Sequence, residues 1–363
     1  MFDHLDDPQP FAATDALRAE ARRRGRSLRR RRRLVGGATA LVVLLVAGAA
    51  GAVALVDRRL DQVDRVTVAG LGEAEPGEPR TILFAGVDSD EGLDPDPARA
   101  AGPRADTLVL ARVDPGANVV DLLPLPRDLL VDYPDGHRDR INVAVGLGGP
   151  DLLVAIVRDD LGIEVDHYLE TDFSGAVAIG DAVGGLSLAF DGAARDTRTG
   201  LDVAAGCQPY DGRRLLALGR SRHLQVLEAG AWRSDVTSDR GRIERQQVIA
   251  TALLARLSAL DAADPVEAAR VLDAVAEHLA VDERTTNQDL VALARAMAGA
   301  EVRSTRLEPV EYYDEGRAVL ALTDGDRTVL RSFAAGEGAG VSEPLHPEDR
   351  GSGLQWSVVP EPC

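Results

Sequence analysis

An uncharged run of 23 residues, Leu34–Val56, constrains this 363-residue chain more than any other feature of its sequence. As an α-helix, the run is long enough to cross the hydrocarbon core of a bilayer, which is about 30 Å thick. Segment 1–33 has ten arginines against five acidic residues, and arginine-rich flanks stay on the cytoplasmic side of a membrane. A cleaved signal peptide is the alternative, but its apolar region normally has only about 7–15 residues. We therefore predict a cytoplasmic tail over 1–33, a single membrane-spanning helix over 34–56 and an extracytoplasmic body.

The body is acidic. The whole chain carries a net charge of −18, and because the tail is basic, the remainder is more negative still. Nucleic-acid binding needs a basic face, so the composition argues against that class of partner. The only two cysteines, Cys207 and Cys363, are too few for a zinc site or a disulfide framework. They can pair if the body lies in an oxidising compartment, and the sequence leaves pairing and non-pairing open.

Alternating apolar runs and amphipathic stretches predict a three-layer α/β body. We expect a stalk over 57–79, a catalytic domain over 80–335 with its core at 80–257, and a loose Gly/Pro/Ser-rich tail over 336–363. Strands are predicted at 81–88, 107–113, 119–125, 167–173 and 186–190, and late strands in EVRSTRLEPVE and RAVLALTD. Helices are predicted at 150–161, 174–182, 211–218, 240–257, 265–279 and 286–298. Gly219 is predicted to stop the helix 211–218 at its C-terminal end.

Arginines are concentrated in the segment 215–247, which we interpret as an anion site. Arg220 and Arg222 are two apart, so on an extended backbone both guanidinium groups point to one side. Planar guanidinium forks match phosphate oxygens, and two of them can clamp a diphosphate. Arg242 and Gln246 share one face of the following predicted helix, at its N-terminal end, where anions are favoured. The simpler interpretation is that Arg220 and Arg222 are two surface arginines on a loop.

Two aspartates, Asp88 and Asp106, are the acidic candidates for the same site. Asp88 ends one predicted strand and Asp106 begins the next, and ligands of α/β sheets bind at such strand ends. Two carboxylates can hold Mg²⁺, which completes its shell with phosphate oxygens and water. Arg104 and Arg127 flank the same edge. Because aspartate is common in loops, this pair alone is a weak signal.

Taken in order, the chain reads GVDSD, GPRADTLVLARVDP, LPLPRDLLVDYPDG, RINVAV, VDHYLETDFSG, GRSRH and DRGRIERQQ. This pattern resembles the LytR-CpsA-Psr (LCP) family of cell-envelope glycopolymer transferases, from about Arg80 to Leu257. The resemblance implies an α/β domain with a central mixed sheet after a single membrane span. It also implies a phosphotransferase that moves a glycopolymer from a polyprenyl-(pyro)phosphate carrier to peptidoglycan outside the membrane, with Mg²⁺ or Mn²⁺.

The resemblance also assigns roles to residues. Asp88 and Asp106 match the metal-associated aspartates, and Arg104 and Arg127 match the family's nearby arginines. The positions that hold the lipid pyrophosphate are matched by Arg127, Arg220, Arg222, Arg242 and Gln246. Two departures stand out: Asp90 follows Asp88 where the family often has arginine, and Ala105 replaces a common serine.

Two other functions remain open from the sequence. One is a hydrolase that releases the lipid-linked pyrophosphate without an acceptor, and the other is a non-catalytic envelope protein that binds lipid-linked intermediates. No G-x-x-x-x-G-K-[ST] motif is present, which argues against a nucleoside triphosphate enzyme.

The predicted topology can be tested with reporter fusions. A phosphatase or β-lactamase reporter fused after residue 57 should be active outside the membrane, because the arginines before Leu34 hold the N-terminus in the cytoplasm. A reporter fused after residue 30 is the control and should remain cytoplasmic. Activity of the first fusion in the cytoplasm would contradict the topology.

Overall fold

The computed structural model describes residues 56–75, 77–88, 102–235, 265–314, 316–337, 356–359 and 363, together with nine helical residues between 241 and 257. The chain divides into two units, Met1–Arg58 and Arg59–Cys363. The predicted cytoplasmic tail and all of the predicted span except Val56 lie outside the described residues. The fold below is that of the second unit.

This unit contains the following strands and helices in its described part. The strands are β1 (Asp64–Val66), β2 (Arg80–Asp88), β3 (Arg104–Asp114), β4 (Val119–Leu125), β5 (Leu130–Asp132), β6 (Arg138–Arg140), β7 (His167–Thr171), β8 (Leu186–Phe190), β9 (Ala194–Asp196), β10 (Leu201–Val203), β11 (Gly206–Tyr210), β12 (Gln225–Glu228), β13 (Ala231–Ser234), β14 (Leu279–Asp282), β15 (Glu301–Ser304), β16 (Val310–Asp314), β17 (Arg317–Ala321) and β18 (Trp356–Val359). The helices are α1 (Ala144–Asp159), α2 (Phe173–Ala182), α3 (Gly212–Arg220), α4 (Pro265–His278), α5 (Asn287–Met297) and α6 (Asp324–Ala335), and a 3₁₀ turn, Ile141–Val143, precedes α1.

A seven-stranded mixed sheet forms the centre of the unit, in the order β1-β14-β7-β2-β3-β4-β15. Strands β2, β3 and β4 are antiparallel neighbours, whereas β7 runs parallel to β2 and β15 parallel to β4. The sequence runs 119–125 and 186–190 are strands with the predicted bounds. The predicted central mixed sheet is therefore confirmed.

Both faces of this sheet are buried, which explains why its strands read as nearly continuous apolar runs. Leu83 and Leu110 face one core, which also contains residues of α1 and α6. Ile82 and Val109 point to the other face by the strand alternation and are equally inaccessible. On that face α2 contacts β2, and α5 contacts β3. Helices on both faces agree with the predicted three layers.

The helix-starting residues recognised in the sequence are also found at α1 and α5. Gly148 and Gly149 have non-helical dihedrals within α1, so its regular part begins at Pro150, a residue suited to the first helical turn. Thr286 caps α5 through a capping box with Asp289. Among the described helices, one stretch is long and apolar enough to span a membrane, Ile141–Asp159, and it carries the buried core residues of α1.

A second core lies under β8, β11 and α3. Strand β8 pairs with β11 on one side and with β18 on the other. Phe190 stacks on Trp356 and contacts Tyr210, and these aromatic rings pack with Leu215 and Leu218 of α3. A four-stranded sheet, β10-β9-β12-β13, adds to this part of the molecule.

The prediction of a stalk over 57–79 is wrong. Strand β1 lies within this segment and pairs with β14 at the edge of the central sheet. Leu60, Val63, Val68 and Leu71 are buried. The segment was misjudged because its apolar residues are spaced among charges, so only their tertiary partners show that they face a core.

The prediction of a loose tail over 336–363 is also wrong where the tail is described. Strand β18 completes the β8 sheet, Trp356 is buried in the second core, and Cys363 forms a disulfide with Cys207 of β11. Residues 338–355 lie outside the described part. The pairing of the two cysteines, which the sequence left open, thus joins the C-terminus to the core under α3.

The disulfide gives a test of this C-terminal attachment. The Cys207→Ser/Cys363→Ser variant should melt about 5–15 °C below the wild type, because the bond closes a loop across a sequence separation of 156 residues. Calorimetry with and without reductant measures the shift, and reductant should lower only the wild-type midpoint. Free thiols in the unreduced wild type would contradict the pairing.

Candidate functional site

Asp106 lies at a β-bulge between β2 and β3. Gly86 pairs with Thr107 and Val87 pairs with Ala105, so Asp106 is the extra residue on β3. Bulges redirect side chains and are frequent beside active sites. Ala105 points into the core and is fully buried, which explains why an apolar residue is accepted where the family often has serine. The sequence did not signal the bulge.

A buried arginine holds the bulged carboxylate. Arg127, which follows β4 in the turn Pro126–Leu129, donates from Nη1 to Asp106 Oδ1 at 2.8 Å. Arg127 is 7% exposed, so this ion pair is largely shielded from water. Asp88 ends β2 opposite Arg104, two residues before Asp106. The predicted grouping of Asp88, Arg104, Asp106 and Arg127 at one edge of the sheet therefore holds for their backbone positions.

The RIN motif packs directly on this arginine. Asn142 donates its backbone N–H to the carbonyl of Arg127, and Ile141 donates to the carbonyl of Leu129. Arg140 Nη1 lies 3.3 Å from Asp128 Oδ1, and Arg127 Nε lies 3.4 Å from Asp128 Oδ2. Asp128 thus lies between two arginines. Arg140 and Asp128 were missed as site residues, although their PRD and RIN motifs were visible in the sequence.

Several polar groups near this cluster lack hydrogen-bond partners in the described part of the chain. Asn142 is 1% exposed, and neither its amide oxygen nor its amide nitrogen has a partner. The Nε atoms of Arg104 and Arg140 are also buried without a partner. Unsatisfied buried groups cost about 1–3 kcal/mol each, and active sites are common places for them. Their hydrogen-bonding capacity is therefore unused within the described part of the chain.

The Arg220–Arg222 pair is built around a buried serine. Helix α3 ends at Arg220, and Ser221 takes an extended conformation. The Ser221 hydroxyl donates to Asp196 Oδ2 at 2.7 Å inside the protein. The prediction that Arg220 and Arg222 both lie on an extended backbone is wrong for Arg220, because the helix continues through that residue. Arg222 is exposed and Arg220 is half-buried. The prediction that the helix ends at Leu218 before Gly219 is wrong by two residues, because the helix continues through Gly219 to Arg220.

Asp196 anchors this turn. Its carboxylate also accepts from the backbone N–H groups of His223 and Arg198. Burial tends to raise the pKa of Asp196, but hydrogen bonds from Ser221, His223, Arg198 and Thr199 outweigh it and lower the pKa below its usual value. The ionised carboxylate is therefore part of the folded turn. Its sequence, ARDTRTG, gave no sign of this role.

Arg245 supports the same turn from the following helical segment. It is buried, and its guanidinium donates to the carbonyls of Leu218 and Ser221 and pairs with Asp235. Arg245 thus positions the arginine pair. Gln246 packs beside Gly219, and its Oε1 atom is buried without a partner in the described residues. Arg242 lies outside them.

The described contacts therefore give two groups of residues, each built around predicted site residues. One is the Asp106–Arg127–Asp128–Arg140 cluster at the edge of the central sheet. The other is the Arg220–Arg222 turn with Gln246, resting on the second core. Segment 223–238 was left unexplained by the sequence. Its residues 225–234 form the β12–β13 hairpin beside this turn.

The fold is shared with an enzyme of known structure. The structure of a LytR-Csp2A-Psr enzyme from Actinomyces oris aligns with a TM-score of 0.62 and 25% identity, over 81% of this chain and 99% of that one. The family model LytR_cpsA_psr matches residues 48–328, and the chain belongs to the LytR_cpsA_psr family.

Two further comparisons concern similar proteins whose names state what they act on or bind. The Enterococcus faecalis protein named polyisoprenyl-teichoic acid–peptidoglycan teichoic acid transferase TagU is 26% identical over 66% of this chain and 73% of its own length. The structure of YwtF (TagT) with bound octaprenyl pyrophosphate lipid has a TM-score of 0.53 and 18% identity over 76% of this chain and 99% of that one, which shows the fold. Among eight curated relatives, the matched share of the relative's length runs from 44% to 73%. The predicted family and its enzyme class, a transferase, are confirmed.

Replacing Asp196 tests the anchor of the arginine turn. Asp196→Asn should lower the free energy of unfolding by about 1–3 kcal/mol at pH 7. The amide oxygen is a weaker acceptor than a carboxylate, and the amide NH₂ group would face the backbone N–H donors that the carboxylate now accepts from. Asp202→Asn, at an exposed position of β10, is the matched control.

The same pair of variants gives a pH test. A pKa that is lower in the folded state than in the unfolded state contributes stability above pH about 4, and this contribution is lost as the pH falls through the folded-state pKa. The difference between wild type and Asp196→Asn, measured by denaturant unfolding, should therefore shrink below pH about 4. A difference that stays constant down to pH 2 would contradict the assignment.

Proposed function

We propose that this chain is a membrane-anchored phosphotransferase that moves a glycopolymer from a polyprenyl-(pyro)phosphate carrier to peptidoglycan through a phosphodiester bond. The observation that carries the proposal is the bulged Asp106 held by buried Arg127 at the end of the central sheet. Such a fixed pair of charges is what a reaction with a large build-up of negative charge requires. Family membership and the name of the relative TagU support the same chemistry.

The arginines bind the donor. Arg220 and Arg222 flank an internally bonded serine, so their guanidinium groups are presented from a rigid turn. Together with Arg127, Arg242 and Gln246 they hold the pyrophosphate. Guanidinium groups that are fixed before the reaction stabilise the leaving phosphate without reorganising solvent.

Asp88 and Asp106 would hold Mg²⁺ or Mn²⁺. Among the described residues no group of three or more His, Cys, Asp or Glu side chains forms a complete metal cage. A site with two aspartates still suits Mg²⁺, which binds through one or two carboxylates and the substrate's phosphate oxygens. The donor set therefore fits a metal that is shared with the substrate, and the metal would neutralise phosphate charge.

The chemical step joins an acceptor hydroxyl to the glycan. The acceptor oxygen forms a bond to the glycan-side phosphorus as the bridging P–O bond breaks, and the polyprenyl phosphate leaves with the electron pair. The hydroxyl proton passes to Asp88 or Asp106. Arg127 orients Asp106 for this role through its hydrogen bond to Oδ1.

The reaction takes place outside the membrane in this proposal. The uncharged run 34–56 anchors the chain, and the arginine-rich segment before it stays in the cytoplasm. The Cys207–Cys363 disulfide supports an extracytoplasmic body, since such bonds persist in oxidising compartments. Peptidoglycan and lipid-linked glycan both face this compartment.

Two variants test the proposal in the full chain, purified in detergent. Arg222→Ala and Asp106→Ala should each lower the rate of glycan transfer from a polyprenyl-pyrophosphate glycan to peptidoglycan about 10²–10³-fold, because the first removes a fixed positive charge at the phosphate and the second removes a proposed metal ligand. Arg233→Ala is the matched control, since Arg233 is an exposed arginine on β13. Mass spectrometry of the purified wild type should show bound polyprenyl phosphates.

Other outcomes identify the alternatives. Transfer by both variants at the wild-type rate would show that the site is wrongly assigned. Release of phosphate by the wild type without labelling of peptidoglycan would identify a hydrolase. Binding of the lipid with neither reaction would identify a non-catalytic envelope protein.

A further inference from the structure

The β16–β17 hairpin exposes an unusual amount of apolar surface. Val310, Tyr312 and Tyr313 are 54%, 48% and 70% exposed, and only two other large hydrophobic residues in the described part of the chain, Leu147 and Leu227, are comparably exposed. In an acidic protein with few aromatic residues, two adjacent exposed tyrosines are not explained by packing. Exposed aromatic residues that cluster in one element mark binding surfaces.

This hairpin is attached to the proposed catalytic cluster. Leu320 of β17 donates its backbone N–H to the carbonyl of Asp128 at 2.9 Å, and Leu129 and Leu320 form a parallel bridge. Arg317 Nη1 donates to Asp139 Oδ1 at 3.1 Å, next to Arg140. Asp128 is the carboxylate that lies between Arg127 and Arg140. The hairpin is therefore a direct extension of the segment that carries the site arginines.

Strand β16 presents both rings along an open edge. Within the described residues β16 pairs with β17 alone, so its outer backbone groups face away from the hairpin. Tyr312 lies opposite Val319, and Tyr313 lies opposite the exposed Ala318. Successive side chains of a strand point to opposite faces, so the two rings stand on either side of this edge. A ligand that runs along the edge contacts both rings and the backbone between them.

The charges around the rings restrict the class of ligand. Glu311 and Asp314 lie on β16, and Glu308 precedes it. The nearby arginines are already paired, Arg306 with Glu308, and Arg317 with Asp139 and Asp314. An anionic lipid surface or a phosphate-rich polymer would be repelled by these carboxylates. A neutral chain would not be repelled, and its hydroxyl and amide N–H groups could donate hydrogen bonds to the carboxylates.

We propose that the β16–β17 hairpin binds the acceptor, an uncharged polysaccharide strand rich in hydroxyl and acetamido groups. The tyrosine rings pack on the C–H faces of the sugar rings, and the Glu311 carboxylate accepts hydrogen bonds from hydroxyl or amide groups. The open edge of β16 pairs with acetamido groups through its backbone. This inference rests on the proposed function, because it places the acceptor on a hairpin that bonds to Asp128, the neighbour of Arg127.

The test uses the full chain in detergent with Tyr312→Ala, Tyr313→Ala and the double variant. Each ring should contribute about 3–10-fold to affinity, so the double variant should bind purified peptidoglycan sacculi at least about 10-fold more weakly in a pelleting assay. The KM for the acceptor should rise by a similar factor, while kcat and the KM for the lipid-linked donor stay within about twofold. Leu227→Ala, at an exposed apolar position on β12, is the matched control for loss of surface area. Equal melting temperatures show that the hairpin remains folded.

The results separate failure of this inference from failure of the proposed function. Unchanged sacculus binding and acceptor KM in the double variant, with active transfer, would overturn the acceptor surface alone. Tyrosine-dependent sacculus binding without any transfer by the wild type would overturn the phosphotransferase assignment and leave the surface in place. Loss of binding to phosphatidylglycerol vesicles, or loss of a dimer in light scattering, with sacculus binding intact would overturn it in favour of a membrane or a second copy.

Discussion

The ion pair between Arg127 and Asp106 is the contact on which the candidate site depends. Arg127 is buried at the end of β4, and Asp106 is the extra residue of a bulge at the start of β3. Breaking a buried pair by removing one partner typically costs about 3–5 kcal/mol, so the pair fixes the geometry of this edge as much as its charge. The turn after β4 and the RIN motif both bond to Arg127 or its neighbour Asp128, and the β16–β17 hairpin bonds to Asp128 in turn.

The arginine turn shows the same use of buried polar contacts, in a different part of the fold. Asp196 and Arg245 hold Ser221 from two sides, and neither residue is exposed to a ligand. They bring no charge to the surface themselves. Their effect is to fix the backbone on which Arg220 and Arg222 stand, so that the entropy cost of ordering two long side chains is reduced before a diphosphate binds. The C-terminal strand and its disulfide stabilise the core beneath this turn.

Most of the central sheet could be predicted from the sequence, since strands buried on both faces give unbroken apolar runs such as 119–125. Segment 57–79 and the C-terminal tail could not. Their apolar residues are few and separated by polar ones, so local pattern does not distinguish them from linkers. Only pairing of β1 with β14 and of β18 with β8 shows that they belong to the core. Gly219 was predicted to end α3 from its residue type alone, whereas it is a buried residue of the last turn, beside Gln246.

The sequence by itself determined the order of the motifs, the arginine pair, the two aspartates and the apolar run before the domain, because each is a local pattern of residue types. Tertiary structure decided which of these residues contact one another and which other residues hold them in place. The bulge at Asp106, the anchoring of Ser221 by Asp196 and the attachment of the Tyr312–Tyr313 hairpin to Asp128 join residues that are far apart in the chain. Such contacts depend on strand register and on long-range packing. A one-residue shift of a strand's register would turn its side chains to the other face of the sheet.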